Sequence, residues 1–271
     1  MFLTARDRNG RIITDLTQNE LKLFEDRQEQ KIDSLVWGVP GPLVVGLLID
    51  VSGSRLGELV GAERKAAPIF FRRVLGKDDL AFVIAFGKED YPLSDFTNKL
   101  AQLDSAVELA SAKSPQGKTA LHDVIAKVCR EKLSGRPGRK ALVLVSDGGD
   151  NASRTRNQDA IQIAQLTDTV IYAIDLSESN WRQASSPEEL VGGKVLREFA
   201  EQTGGRSFTV RHKRDFQAAF ELIAEELRGQ YTLQYRPSNA VRDRKFRKLK
   251  INTTRKRIEL LTRKGYYAPK N

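Results

Sequence analysis

The segment DVSGS sets Asp50, Ser52 and Ser54 at two-residue steps, so that one carboxylate and two hydroxyls can turn toward a common point. Gly53 between them permits a tight backbone path. Two further oxygen donors stand in similar settings: Thr119 in GKTALHD and Asp147 in LVLVSDGGD. Together the five side chains form an all-oxygen donor set with only two negative charges. Such a set suits a hard, octahedral, partly hydrated cation, Mg2+ or Mn2+. The competing reading is a strand-to-helix turn, where Ser and Asp are favoured as caps whether or not a ligand binds. Thr119 by itself fits a helix cap as well, but the coincidence of all five oxygens favours the metal.

Such residues need rigid supports. LVVGLLID, residues 43–50, is a continuous apolar run between Pro42 and the DVSGS turn. That pattern reads as a strand buried on both faces, as in a parallel sheet. Its carboxyl end is where open α/β sheets place their ligands. DLAFVIAFG, KALVLVSDGGD and TVIYAIDL repeat the pattern, RSFTV is a shorter strand, and YPLSDFTN suits a sheet edge. Helical spacing is predicted over 56–74, 99–111, 119–133, 157–167, 193–203 and 214–228. The alternation predicts an α/β fold: a doubly wound, mostly parallel sheet with helices on both faces, spanning residues 41–228.

The flanks read differently. FLTARD, an Asn9-Gly10 turn, RIITDL, LKLFED and QKIDSLVWG are short β segments, and Asn-Gly is a strong hairpin signal. QYTLQYRP, FRKLKINTT and RIELLTRKGYYAP follow Gly229. Such strands cannot extend a parallel sheet without crossovers. Residues 1–40 and 229–271 are therefore expected to pack together as a small β module into which the α/β domain is inserted.

DVSGS, Thr119 and the Asp147 of SDGGD resemble the metal-ion-dependent adhesion site of von Willebrand factor type A domains. NGRIITDLTQNELKLFEDRQEQKI, DFTNKL, GKTALHDVI, YTLQYRP, FRKLKI and RKGYYAP resemble the bacterial VWFA-related family of acidobacterial type, over almost the whole chain. The resemblance implies a Rossmann-like fold and a non-catalytic, Mg2+- or Mn2+-dependent adhesion module. Ser52, Ser54 and Thr119 would then coordinate the ion through hydroxyls, and Asp50 and Asp147 directly or through water. A protein partner's Asp or Glu carboxylate would take the open position. The resemblance also implies a secreted, periplasmic or cell-envelope setting, although MFLTARDRNG shows no signal-peptide pattern.

Composition excludes several alternatives. One cysteine, Cys129, permits neither an intrachain disulfide nor a cysteine-rich metal site. It is expected to be a small buried hydrophobe. Two distant histidines, His122 and His212, argue against a zinc or hydrolase centre. No phosphate-binding GxxxxGK[ST] loop or GxSxG elbow occurs, so no enzyme class is indicated. Trp181 lies in a polar stretch where it could anchor a partner but is expected to pack locally. No apolar run approaches the roughly 20 residues of a membrane-spanning helix.

Charge offers a rival function. The net charge is +10, and from Arg242 onward twelve Lys and Arg face only Asp243 and Glu259. A polyanion-binding module, for nucleic acid or an anionic surface, is the alternative reading. Stacking aromatics are sparse, which disfavours nucleic acid. The bland explanation is a solvated strand face, because Leu249 with Ile251 and Ile258 with Leu260 alternate with charges.

Overall fold

A computed structural model describes residues 1–52, 57–113, 117–177 and 187–270, through the backbone alone at 57–60 and 187–190. Strands β1 (Phe2–Asp7), β2 (Leu21–Glu25), β3 (Gln28–Gln30) and β4 (Ile32–Trp37) come first. The α/β section runs β5 (Leu43–Asp50), α1 (Gly57–Val74), β6 (Leu80–Phe86), β7 (Asp90–Pro92), α2 (Leu100–Ser111) and α3 (Leu121–Lys127). It continues through β8 (Arg139–Ser146), α4 (Asn157–Leu166), β9 (Thr169–Asp175), α5 (Pro187–Thr203), β10 (Ser207–Thr209) and α6 (Lys213–Arg228). Strands β11 (Tyr231–Tyr235), β12 (Phe246–Thr253), β13 (Ile258–Leu261) and β14 (Gly265–Tyr267) close the chain.

The central sheet has the order β10-β9-β8-β5-β6-β7, parallel except for β7. Flanked by β6 and β8, β5 buries all eight of its residues, which explains its unbroken apolar sequence. Leu43, Val45, Leu47 and Ile49 face a core completed by Phe70 and Phe71 of α1 and Phe216 and Phe220 of α6. Val44 and Leu48 face the opposite core, with Ile125 of α3, Ile161 of α4 and Phe199 of α5. Gly46 is the exception that packing demands, because a Cβ there would lie 2.4 Å from the Phe82 ring. From β5 the chain moves outward to β6, then returns to β8 on the other side and proceeds to β9. The β5/β8 junction is thus a topological switch point, where the crevice at the strand ends opens.

The terminal strands form two antiparallel sheets, β13-β1-β11-β4 and β14-β12-β2-β3. Leu3, Leu23, Tyr231, Leu233 and Leu249 share their core, so both flanks of the sequence do meet. Three local expectations are corrected. RIITDL is not a strand: the return arm of the hairpin makes only the bridge Arg6↔Ile12. The Tyr231 hydroxyl then donates to Ile13 O at 3.0 Å and accepts from Leu16 N at 2.8 Å, drawing the chain off the β1 edge. Helix α5 starts at Pro187 rather than 193, running through Gly192 and Gly193. The helix expected over 119–133 begins at Leu121 and widens into a π-helical turn over Val128–Leu133. Among the described residues no helix is long and apolar enough to cross a membrane.

Candidate metal centre

Asp50 ends β5 and is 1% exposed. Its Oδ1 accepts from Ser52 N at 2.8 Å, the Asx turn that lets the chain leave the sheet. Its Oδ2 accepts from Ser146 Oγ at 2.7 Å. The parallel register Ile49↔Val145 sets these two strand ends side by side. Asp147 follows Ser146 directly, and its Oδ1 accepts from Gly149 N at 2.9 Å. Ser52 and Asp147 are also buried. Ser54 lies outside the described residues, as does Trp181.

Thr119 stands in the loop before α3. Its N–H donates to Asn151 Oδ1 at 2.9 Å, and its carbonyl accepts from Asn151 N and Ala152 N, each at 3.0 Å. The loop after β8 therefore clamps Thr119 beside the strand ends. Thr119 is not the cap of α3: Ala120 holds that position and makes no side-chain cap bond. Capping comes from across the fold instead. Asp150 Oδ2 accepts from His122 N at 2.9 Å, and Ser153 Oγ accepts from Asp123 N at 3.0 Å. The Thr119 hydroxyl makes no hydrogen bond among the described residues.

Burial above all, and then the negative charge of Asp147, push the Asp50 carboxyl up to about 6. Hydrogen bonds from Ser146 and Ser52 pull the other way. A second charge on this buried pair of acids is thus costly, and a cation relieves that cost. Among the described residues no group of three or more His, Cys, Asp or Glu is placed to hold a metal. The donor set here does not need one: its chemistry is hydroxyl oxygen plus two carboxylates, which fits a hard ion.

Sequence reasoning missed Ser146, whose hydroxyl orients Asp50; only the strand register reveals it. His122 pairs locally, with Nδ1 3.2 Å from Asp150 Oδ2. Cys129 is fully buried, and burial pushes its thiol up to about 11, so it is an unreactive hydrophobe. Gly148 has φ +78°, and a Cβ there would lie 2.2 Å from Gly192 O. We expect Gly148→Ala to cost more than about 2 kcal/mol in urea unfolding, through left-handed strain and displacement of α5. A loss under about 0.5 kcal/mol would show that the loop yields freely.

No family profile and no curated protein matches the chain. Solved structures do. A von Willebrand factor type A protein from Catenulispora acidiphila aligns with TM-score 0.53 and 15% identity over 78% of this chain and 52% of its own. An aerotolerance-related membrane protein from Bacteroides fragilis gives TM-score 0.53 and 15% identity over 68% of this chain and 98% of its own. A D319A mutant of the PilB minor pilin from Streptococcus sanguinis gives 0.53 and 14%, over 69% of this chain and 62% of its own. The chain thus spans about half to two-thirds of the first and third of these proteins and nearly all of the second. At such identities the likeness establishes the von Willebrand factor type A fold.

Proposed function

We propose that this chain is a non-catalytic, divalent-metal-dependent protein-interaction module. The observation that supports it most is the buried Asp50 carboxylate, fixed by Ser52 N and Ser146 Oγ at the switch point with Asp147 beside it. Asp50, Ser52, Ser54, Thr119 and Asp147 would hold Mg2+ or Mn2+. With three neutral hydroxyls in the set, the bound ion would keep enough positive charge to attract an Asp or Glu carboxylate from a protein partner. A pilus adhesin from Lactobacillus rhamnosus GG is among the structural neighbours, at TM-score 0.53 and 11% identity over 69% of this chain and 31% of its own, and is consistent with this use of the fold.

Calorimetric titration of chelator-stripped protein with Mg2+ and with Mn2+ tests the reading. Saturable 1:1 binding that Asp147→Ala weakens by about tenfold or more supports it. Heats that are unsaturable, or identical in the variant, would overturn it. The rival polyanion reading has weaker support, because stacking aromatics are sparse in the basic C-terminal segment and several of its cations are paired within the fold. Arg247 pairs with Asp243, Arg255 with Asp15 and Glu20, and Arg263 with Asp168. Lys248 and Lys250 remain exposed on β12, but they alternate with buried Arg247 and Leu249 as an ordinary solvated strand face does.

A further inference from the structure

A second cleft lies beside the β10 edge of the central sheet, where the ends of β1 and β13 approach it. This open cleft of about 430 Å³ is lined by Arg8 from the turn after β1, Arg206 just before β10, and Arg257 from the turn between β12 and β13. Arg206 immediately precedes β10, its carbonyl opposite Ala173 in the middle of β9, and β10 is the sheet edge three strands away from β5 and Asp50.

Three arginines therefore converge from three separate parts of the chain. Arg8 and Arg257 are exposed and make no ion pair among the described residues. Arg206 is anchored through its carbonyl, which accepts from Ala173 N at 3.0 Å; its guanidinium lies over the Phe208 ring at 5.2 Å, and its Nη1 is 3.9 Å from Oε1 of buried Glu226, leaving the rest of the half-exposed fork toward the cleft. Two carboxylates share the cleft. Asp7 turns Oδ1 to Asn9 N and Arg11 N, at 2.8 and 2.9 Å, and Glu259 is exposed. Arg257 also occupies a left-handed backbone position, φ +64°, where Gly or Asn would be usual. The fold thus holds an arginine at a position that does not favour one.

We propose that this cleft binds a phosphate-class oxyanion. A guanidinium offers a planar fork of donors that matches oxyanion geometry. A tetrahedral phosphate has enough oxygens to meet the forks of Arg8 and Arg257 and still reach Arg206, and its negative charge suits a cleft where three arginines face only Asp7 and Glu259. A single carboxylate, with two oxygens, leaves one fork unused.

The test is titration of the full chain with inorganic phosphate, at ionic strength held constant with NaCl. EDTA is present throughout, so the outcome is independent of the metal reading. Saturable 1:1 binding is expected, weakened about tenfold by Arg8→Gln with Arg257→Gln. Lys248→Gln with Lys250→Gln removes equal charge from the β12 face and is expected to leave affinity within about twofold of wild type. Circular dichroism melts check the fold of both variants. Arg257→Gly, suited to the left-handed backbone, supplies a well-folded single variant that is also expected to weaken binding. Absence of saturable binding, or equal losses in the two double variants, overturns the proposal in favour of diffuse charge attraction.

Discussion

Arg6→Leu is expected to destabilise the folded chain by about 3–5 kcal/mol, the usual consequence of leaving one member of a buried ion pair alone. Arg6 projects from β1, and its Nη2 lies 2.8 Å from Oε1 of Glu226 on α6, with side-chain exposures of 1% and 0%. It also donates to Gly10 O at 3.1 Å. The pair thus fastens a terminal strand to the last helix of the α/β section. Burial pushes Glu226 up to about 7, while Arg6, Arg206 and the Tyr172 hydroxyl pull it back and Glu259 adds to the rise.

The sign of the pH dependence follows. A carboxyl whose folded pKa exceeds its unfolded value contributes stability that is complete below about pH 4 and is lost as pH rises through about 7. Without Arg6 the folded pKa rises further and the loss deepens above neutrality. Urea unfolding at pH 5 and pH 8 should therefore show a larger penalty for Arg6→Leu at pH 8. Arg6→Leu combined with Glu226→Leu should recover most of it, since no charge is then stranded. An equal penalty at both pH values would mean that packing, not charge, holds the junction.

Asp50→Asn has the second large effect, and it points in two directions. In EDTA the variant should be more stable than wild type at pH 8, by up to about 2–3 kcal/mol, because a carboxylate shifted by about two pH units no longer ionises in a buried site. The Asp50 contribution is favourable below about pH 4 and is lost as pH rises through about 6. At pH 4 the two proteins should accordingly melt together. Under the proposed function, Mg2+ raises the wild-type melting temperature at pH 8 and leaves Asp50→Asn unmoved. Thermal melts with and without Mg2+ measure both effects. A variant less stable than wild type in EDTA at pH 8 would refute the claim that charge at Asp50 is costly.

What could be read from the sequence depended on the range of the forces involved. β5 was legible because burial on both faces leaves an apolar run, and Asp50 stood out by interrupting it. The α/β alternation and the meeting of the terminal flanks followed from hydrophobic period and strand direction. Contacts that join distant residues left no such trace. Ser146 looks like any strand-end serine until the register sets it against Asp50. Arg6 and Glu226 each look like exposed charges, because a buried pair 220 positions apart has no local signature. RIITDL has the alternation of a strand but lost its place to the Tyr231 hydroxyl. The helix expected over 193–203 extends back to Pro187, and Gly192 within it lies against the loop that carries Asp147.

The pairing of β1 and β4 with β11 has a consequence for synthesis. A ribosome makes β1 more than two hundred residues, and β4 nearly two hundred, before their common neighbour, so both strands wait with edges open while the α/β section collapses. Of the first four strands, β2 and β3 alone pair with each other as a local hairpin. The first strands of the chain are therefore among the last to be secured, and a nascent protein stopped after Arg228 presents them to any chaperone or neighbouring chain able to supply a strand.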